Sequence, residues 1–452
     1  MEQLKNNKKY HIKTWGCQMN VYDSQRIGEI LLSLGYQETE DLTESDIVIL
    51  NTCHIREKAT EKVYSEIGRL SKLKERRQEI GSNLIIAVSG CVAQAEGEEI
   101  QKRSKFVDIV FGPQTWHKLK EMIDAVNSNN KYCNTSFPVE EKFDQLPEIL
   151  DKNRVKSSSS FVVVQEGCDK FCTYCVVPFT RGAEYSRPTF QILSEVKNLV
   201  NAGAKEITLL GQNVSSYNGE HFAGKKWTLG RLIKEIAEIE GLERIRYTTS
   251  YPTEIDDELI SAHKNIDKLI PFLHLPIQSG SNKILKLMNR KHTNKDYLNI
   301  IEKIKSSNPK MAFSSDFIVG FPEEDDNDFK DTLSIINQVG FIQSYAFIYS
   351  KRPGTRAFTY EDTSLTTDIL KERLKILQEV LTLNQYNFNK NTVGSEFKVL
   401  LDREGRKENQ IVGKSPYMQT VHINNLSKDY LGKIVNVKIL ESLPYSLRGE
   451  LI

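Results

Sequence analysis

The chain has 452 residues, too many for one hydrophobic core, so two or three domains are expected. With 39% hydrophobic and 27% charged residues its composition is that of an ordinary globular protein. A formal charge of +1 excludes a globally basic, histone-like binder and leaves open a local basic face. Met1–Tyr10 is polar and basic, without an apolar stretch of signal-peptide length. The longest aliphatic runs, Leu84–Val88 and Phe161–Val164, are core-strand length and too short to span a bilayer. The expected location is the cytoplasm, with no membrane partner. In that reducing compartment seven cysteines read as metal ligands, catalytic thiols or buried small hydrophobes rather than disulfides.

In chain order, Tyr10–Thr14, Asp46–Leu50 and Leu84–Val88 are β-rich runs. Helical patterns lie between them: Ser24–Leu34 places Ile27, Ile30, Leu31 and Leu34 on one face, and Glu57–Leu73 follows the same rule. This alternation predicts an open parallel α/β domain over residues 9–126. Residues 127–160, with Asn and Ser clusters and the Ser157–Ser160 run, read as a linker containing Cys133. Alternation resumes over 161–389, with strands at Phe161–Gln165, Glu206–Leu210, Ile245–Thr249, Phe272–Pro276, Ser315–Val319 and Tyr345–Tyr349. Six strand–helix units predict a partial (β/α)6 barrel, with functional residues at the carboxyl ends of its strands. Residues 390–452 carry short strands without helices (Phe397–Leu401, Gln410–Val412, Gln419–His422, Ile434–Leu440, Gly449–Ile452) and predict a small antiparallel β-barrel. The whole chain is of α/β class.

The strongest motif is Glu166-Gly167-Cys168-Asp169-Lys170-Phe171-Cys172-Thr173-Tyr174-Cys175. Three thiolates within eight residues, spaced Cys-x3-Cys-x2-Cys, fit a tight loop around an iron–sulfur cluster. A fully capped 4Fe–4S cube takes four thiolates, so three leave one iron open, as a catalytic zinc keeps a free position. A structural zinc needs a nearby fourth Cys or His, and none follows closely. Here the sequence resembles the radical S-adenosylmethionine superfamily, in which the open iron binds the amino and carboxyl groups of S-adenosylmethionine. One electron then cleaves the sulfonium to a 5′-deoxyadenosyl radical. The resemblance places Tyr174 near the adenine of the cofactor, or as a plain cover for the loop. It nominates Gln212, Asn213, Gln278, Ser279 and Asp316 at strand ends as cofactor contacts; each is polar and equally suits a loop cap.

A second trio is dispersed. Cys17, Cys53 and Cys91 each lie just past the carboxyl end of a predicted parallel strand, the edge where open α/β sheets collect ligands. Any one of them alone reads as a buried small hydrophobe. Three at one topological position make a candidate metal site, again with an open position. Cys133 breaks the pattern and reads as incidental.

With both trios in view, the chain from Tyr10 to Ile452 resembles the methylthiotransferases. Those enzymes join an N-terminal auxiliary-cluster domain to a radical domain and a C-terminal TRAM barrel. Within that family Thr14–Asn20, Asn51–Ala59, Gly167–Arg181, Gly211–Val214 and Tyr349–Thr355 resemble the MiaB type, the tRNA-2-methylthio-N6-dimethylallyladenosine synthases. Two positions depart from the family pattern: Tyr251 where a His is expected and Glu323 where a Gly is usual.

The resemblance implies a transferase that adds a methylthio group to carbon 2 of N6-dimethylallyl-adenosine at position 37, next to the anticodon. It implies two 4Fe–4S clusters, on Cys168, Cys172 and Cys175 and on Cys17, Cys53 and Cys91, and two S-adenosylmethionine molecules. That carbon has a strong C–H bond and no leaving group, so no acid–base residue is nominated as catalytic. The expected partners are tRNA carrying dimethylallyl-adenosine, an electron donor such as flavodoxin or ferredoxin, and sulfur or cluster donor proteins. Lys398, Arg403, Arg406, Lys407 and Lys414 are candidate RNA-binding residues on the C-terminal barrel, and each singly also suits a solvated charged face. The rival readings are a methylthiotransferase acting on threonylcarbamoyl-adenosine or on a ribosomal-protein aspartate, and a non-catalytic iron–sulfur RNA-binding regulator.

Overall fold

The computed structural model describes residues 8–54, 57–144 and 158–452. Ile55 and Arg56 of the Asn51–Ala59 motif, Met1 to Asn7, and residues 145–157 of the expected linker lie outside the described residues. The chain divides into two compact units interleaved in sequence. The first comprises Met1–Leu150, Glu166–Asp169 and Val176–Tyr185; the second comprises Asp151–Gln165, Lys170–Cys175 and Ser186–Ile452.

The first unit is built on a six-stranded, all-parallel sheet. In spatial order its strands are Gln37–Glu38, Lys9–Trp15, Ile47–Thr52, Ile85–Gly90, Ile109–Phe111 and Tyr132–Asn134. Uninterrupted apolar runs form the central strands because both faces are covered. Ile47, Ile49, Ile85 and Ala87 pack beneath Ile27, Leu31 and Met122, while Val48, Leu50, Ile86 and Val88 pack beneath Val63, Ile67 and Leu70. The sheet extends beyond the expected boundary at Val126. Tyr132–Asn134 pairs with Ile109–Phe111, so Cys133 lies in a strand, and Val139–Asp144 is helical. Those strands are three residues long, too short to show a period, and their register comes from the neighbouring strand.

The second unit carries the expected six barrel strands. Ser159–Val163, Glu206–Leu210 and Arg244–Tyr247 pair in parallel. A bridge from Ile245 to Leu269 leads towards Phe272–His274, which pairs with Ala312–Ser314. Ser315 interrupts the fifth strand, and its continuation Asp316–Val319 pairs with Tyr345–Ile348. The 25-residue helix Thr367–Asn391 follows.

In the same unit Glu396–Glu404, Ile411–Lys414, Thr420–Ile423, Leu447–Leu451 and Ile434–Ser442 close a barrel in that spatial order. The expectation of a purely antiparallel barrel needs correcting, because Thr420–Ile423 and Leu447–Leu451 run parallel. Parity requires this: five strands in a closed ring cannot alternate direction all the way round. Arg244 joins this barrel to the rest of the unit, donating to the carbonyls of Lys398 (2.7 Å) and Lys414 (3.1 Å). Among the described residues no helix is long and apolar enough to cross a membrane.

Candidate iron–sulfur and RNA-binding sites

Register assembles the first thiol trio. Trp15 lies opposite Thr52, and Thr52 opposite Gly90, on adjacent parallel strands. Cys53 and Cys91 directly follow their strands and Cys17 follows one residue later, so all three reach one carboxyl edge. Adjacent strands are about 4.8 Å apart, close enough for neighbouring thiols to interact. Cys53 and Cys91 are buried and Cys17 is exposed. A hydrogen bond from the Cys53 thiol lowers Cys17 to about 6 against burial, with help from the charge of Arg181. The same donor lowers Cys91 to about 7, again against burial and with the aid of Arg181. Cys53, between its two neighbours and buried, is itself pushed up.

Local structure fixes these positions. Cys17 precedes the helix Gln18–Ser33, and its N–H donates to Asn20 Oδ1 (3.3 Å). Asn20 Nδ2 donates to Asn51 Oδ1 (3.1 Å), and Asn51 Nδ2 donates to the Asn20 carbonyl (2.9 Å) and to Ser24 Oγ (2.8 Å). This buried amide pair fastens the first strand–helix junction to the strand that ends at Cys53. Gly90 has φ +87°, and a β-carbon there would run into the Thr52 carbonyl oxygen, so the approach to Cys91 requires glycine.

Behind the trio lies a buried network of four charges. Arg181 pairs with Asp23 (2.7 Å) and Glu166 (2.6 Å), while Lys142 pairs with Glu166 (2.8 Å) and Asp23 (3.5 Å). Burial opposes charge on Arg181 and on Glu166, and the opposite charges prevail. Asp23 and the thiols hold Arg181 protonated, and Lys142 and Arg181 hold Glu166 below the usual carboxylate range. The two cations balance the two carboxylates.

Cys168 belongs to the same unit, its N–H donating to the Gly182 carbonyl (3.3 Å). Gly167 before it has φ +77°, and a β-carbon would collide with the Ala183 carbonyl oxygen. Cys172 and Cys175 belong to the second unit, where the Cys175 N–H donates to the Cys172 carbonyl (2.9 Å). Thr173 fastens that segment: its N–H donates to the Met288 carbonyl (3.1 Å) and its hydroxyl to the Leu287 carbonyl (2.9 Å). Asn289 Nδ2 donates to the Phe171 carbonyl (2.9 Å), and Arg290 Nη1 donates to Cys172 Sγ (3.7 Å).

Of the other nominated cofactor residues, Tyr174 lies in a turn of the cysteine segment, Gln212, Asn213, Gln278 and Ser279 follow strands of the second unit, and Asp316 opens the strand Asp316–Val319. Tyr174 packs against Ile284, Met288, Phe321 and Ala357, and burial, then Cys172, raises its phenol well above the ordinary value. Gln212 and Asn213 donate backbone N–H groups to Gln165 Oε1 (2.9 and 3.0 Å). Asn213 Nδ2 is a buried donor with no partner. Gln278 has φ +78° and bridges to Phe317. The Ser279 hydroxyl is engaged by Thr332 (3.3 Å) and by the Ser281 N–H (3.2 Å). Asp316 faces His274 (3.5 Å). Tyr251 and Glu323, the two departures from the family pattern, are also placed. Tyr251 is buried under Arg290, and Glu323 is exposed with φ +69°, a conformation that explains the usual glycine.

On the C-terminal barrel Lys398, Arg403, Arg406 and Lys407 are exposed and Lys414 is half-buried. Burial lowers His422, and Arg403, Lys407 and Lys414 lower it further, so these three share one positive field. Lys414 Nζ donates to Thr420 Oγ1 (2.9 Å), and Arg403 pairs with Asp402 (2.9 Å).

Residues 9–112 match the uncharacterized protein family UPF0004, 162–336 the radical SAM superfamily and 390–452 the TRAM domain. The tRNA-2-methylthio-N(6)-dimethylallyladenosine synthase of Rickettsia canadensis (strain McKiel) is 52% identical over 98% of this chain and 99% of its own length. That of Agrobacterium fabrum (strain C58 / ATCC 33970) is 50% identical over 98% of each. The chain belongs to this synthase family. Radical SAM membership brings S-adenosylmethionine and one 4Fe–4S cluster as cofactors. Two solved structures share the fold at low identity. The radical S-adenosylmethionine methyltransferase TsrM from Kitasatospora setae has a TM-score of 0.57 at 12% identity over 78% of this chain and 77% of that one. The cobalamin-dependent S-adenosylmethionine radical enzyme OxsB has a TM-score of 0.54 at 13% identity over 83% of this chain and 56% of that one.

The donor chemistry at both trios fits clusters. At the first, one buried thiol bridges two acidified ones beside a guanidinium, a setting suited to thiolate ligands. At the second, Arg290 Nε is a buried donor with no acceptor beside its bond to Cys172, as an anionic iron–sulfur group would require. Among the described residues no three His, Cys, Asp or Glu side chains converge as ligands of a single ion. A cubane is held differently, with one thiolate to each of three irons. Sequence reasoning missed Asp23, Lys142, Glu166, Arg181 and Arg290 as supporting residues. Only the spacing Glu166-x-Cys168 and the Arg181 that ends the motif hinted at them.

Proposed function

We propose that this protein is a tRNA modification enzyme that adds a methylthio group to carbon 2 of N6-dimethylallyl-adenosine at position 37. The observation that carries the reading is the gathering of the Cys17, Cys53 and Cys91 thiols on one sheet edge, in a chain that also bears the radical SAM motif. Its extent of identity to the named synthases favours this substrate over threonylcarbamoyl-adenosine or a ribosomal-protein aspartate.

In this reading Cys168, Cys172 and Cys175 hold one 4Fe–4S cluster, and Cys17, Cys53 and Cys91 hold a second, each with an open iron. When bound, the first supplies the electron that cleaves S-adenosylmethionine to a carbon radical, and the second supplies the sulfur that is methylated and transferred. The chain's own residues bind and orient. Asn20 and Asn51 hold the first trio in register, and Arg181 adds to the hydrogen bond with Cys53 in lowering Cys17 and Cys91. Tyr174 covers the cofactor loop from its apolar bed, and Gln212, Asn213, Gln278, Ser279 and Asp316 are proposed cofactor contacts. Lys398, Arg403, Arg406, Lys407 and Lys414 are proposed to contact RNA phosphates, and the target base is expected to leave its stack to be reached. A low-potential flavodoxin or ferredoxin would donate the electron, and sulfur or cluster donor proteins would restore the second cluster.

Anaerobic reconstitution followed by mass spectrometry of nucleosides tests this. Methylthio product is expected on tRNA carrying dimethylallyl-adenosine, and none on threonylcarbamoyl-adenosine tRNA or on the ribosomal protein. No product on the first substrate, or preference for either of the others, would contradict it.

A further inference from the structure

Arg290 is an unusual neighbour for a thiolate ligand. It is only 9% exposed, and Nη1 donates to Cys172 Sγ (3.7 Å). Nη2 donates to the Pro276 carbonyl and Nε has no acceptor. The guanidinium centre lies 4.2 Å from the centroid of the Tyr251 ring. That ring is held in place: its hydroxyl accepts from the Lys291 N–H (2.8 Å), and the Tyr251 N–H donates to Ser215 Oγ (3.0 Å). Among the described residues no carboxylate pairs with Arg290.

A buried, unneutralised cation that hydrogen-bonds a cluster ligand stabilises whichever state of the cluster carries more negative charge. Adding one electron makes the cluster more negative by one unit, so such a cation raises the reduction potential. The π face of Tyr251 retains the guanidinium without cancelling its charge, which a carboxylate would do.

We propose that Arg290, aimed by Tyr251, sets the reduction potential of the cluster held by Cys168, Cys172 and Cys175, raising it so that a protein electron donor can reduce it. The inference rests on the proposed function for the presence of that cluster. Arg290 acts through Cys172 and is a positioning residue. No bond forms or breaks in the step: one electron passes from the donor protein to the cluster.

The test is a midpoint titration followed by electron paramagnetic resonance on the reconstituted full-length chain. Cys17, Cys53 and Cys91 are replaced by Ala so that one cluster reports. Arg290→Gln is expected to move the midpoint to more negative potential, and Arg290→Lys to move it less. Tyr251→Phe, which keeps the ring face, is expected to stay near the parent value, and Tyr251→Leu to follow Arg290→Gln. If Arg290→Gln assembles no cluster, the Lys and Tyr251 variants decide the matter. An assembled cluster with the parent midpoint in Arg290→Gln or Arg290→Lys overturns the tuning alone. A parent midpoint in Tyr251→Leu removes the role of Tyr251. A parent chain that assembles no cluster on Cys168, Cys172 and Cys175 overturns the proposed function as well.

Discussion

The two thiol trios are each accompanied by one buried arginine, but the arginines are held in opposite ways. Arg181 sits in a closed set of two cations and two carboxylates, each cation salt-bridged to both carboxylates at 2.6–3.5 Å. Arg290 rests on an aromatic ring and a backbone carbonyl, with its charge left over for Cys172. In the Arg181 network two carboxylates offset two cations, so it chiefly fixes geometry and aids the thiols only after the hydrogen bond with Cys53. An uncompensated cation contributes field and relies on packing for its geometry. Under the proposed function, the difference suits a site that would hold sulfur at one trio and a site that would accept an electron at the other.

The largest effect expected from that contrast is on stability. Arg181→Met leaves two buried carboxylates facing Lys142 alone and should cost about 3–5 kcal/mol of unfolding free energy. Arg290→Met strands no carboxylate and should cost about 1–2 kcal/mol, from the missing cation–π interaction and hydrogen bond. Denaturant unfolding of the two variants measures both, and equal losses would break the comparison.

Acid should also distinguish the sites. Glu166 is held below the usual carboxylate range, so the unfolded chain takes up its proton at higher pH than the folded one. Its contribution is therefore complete above the ordinary carboxylate pKa and disappears as pH falls through and below it. Glu166→Gln should flatten the fall in melting temperature between about pH 5 and pH 3. Arg290→Met should leave that fall unchanged, because among the described residues no carboxylate pairs with it.

A smaller effect is expected at Glu323. Its φ of +69° disfavours any side chain, so Glu323→Gly should stabilise the chain by about 1 kcal/mol, read as a rise in melting temperature. On the barrel, Arg406→Ala with Lys407→Ala should reduce the slope of log affinity for tRNA against log salt by ~0.7 for each phosphate no longer neutralised. An unchanged slope would place the RNA elsewhere.

Much of this could be read in the sequence, for definable reasons. Cys168, Cys172 and Cys175 are local in the chain, so spacing alone exposed them. Cys17, Cys53 and Cys91 were legible because hydrophobic runs marked the strands they follow, and parallel strands in register deliver their ends to one edge. The Arg181 network was not legible. Asp23 and Arg181 are 158 residues apart, and a buried ion pair has the same letters as a solvated one. Arg290 was hidden likewise, 118 residues from Cys172. The strand Tyr132–Asn134 was missed because three residues carry no period, and the parallel pair in the barrel follows from closure, which no single strand displays.

The central claim is that the two trios divide the labour, one cleaving S-adenosylmethionine and the other supplying sulfur. The most direct measurement counts 5′-deoxyadenosine and methylthio nucleoside together in the variant with Cys17, Cys53 and Cys91 replaced by Ala. The account predicts that deoxyadenosine continues to form while methylthio transfer disappears and iron falls by about four atoms per chain. Methylthio product from that variant would contradict it.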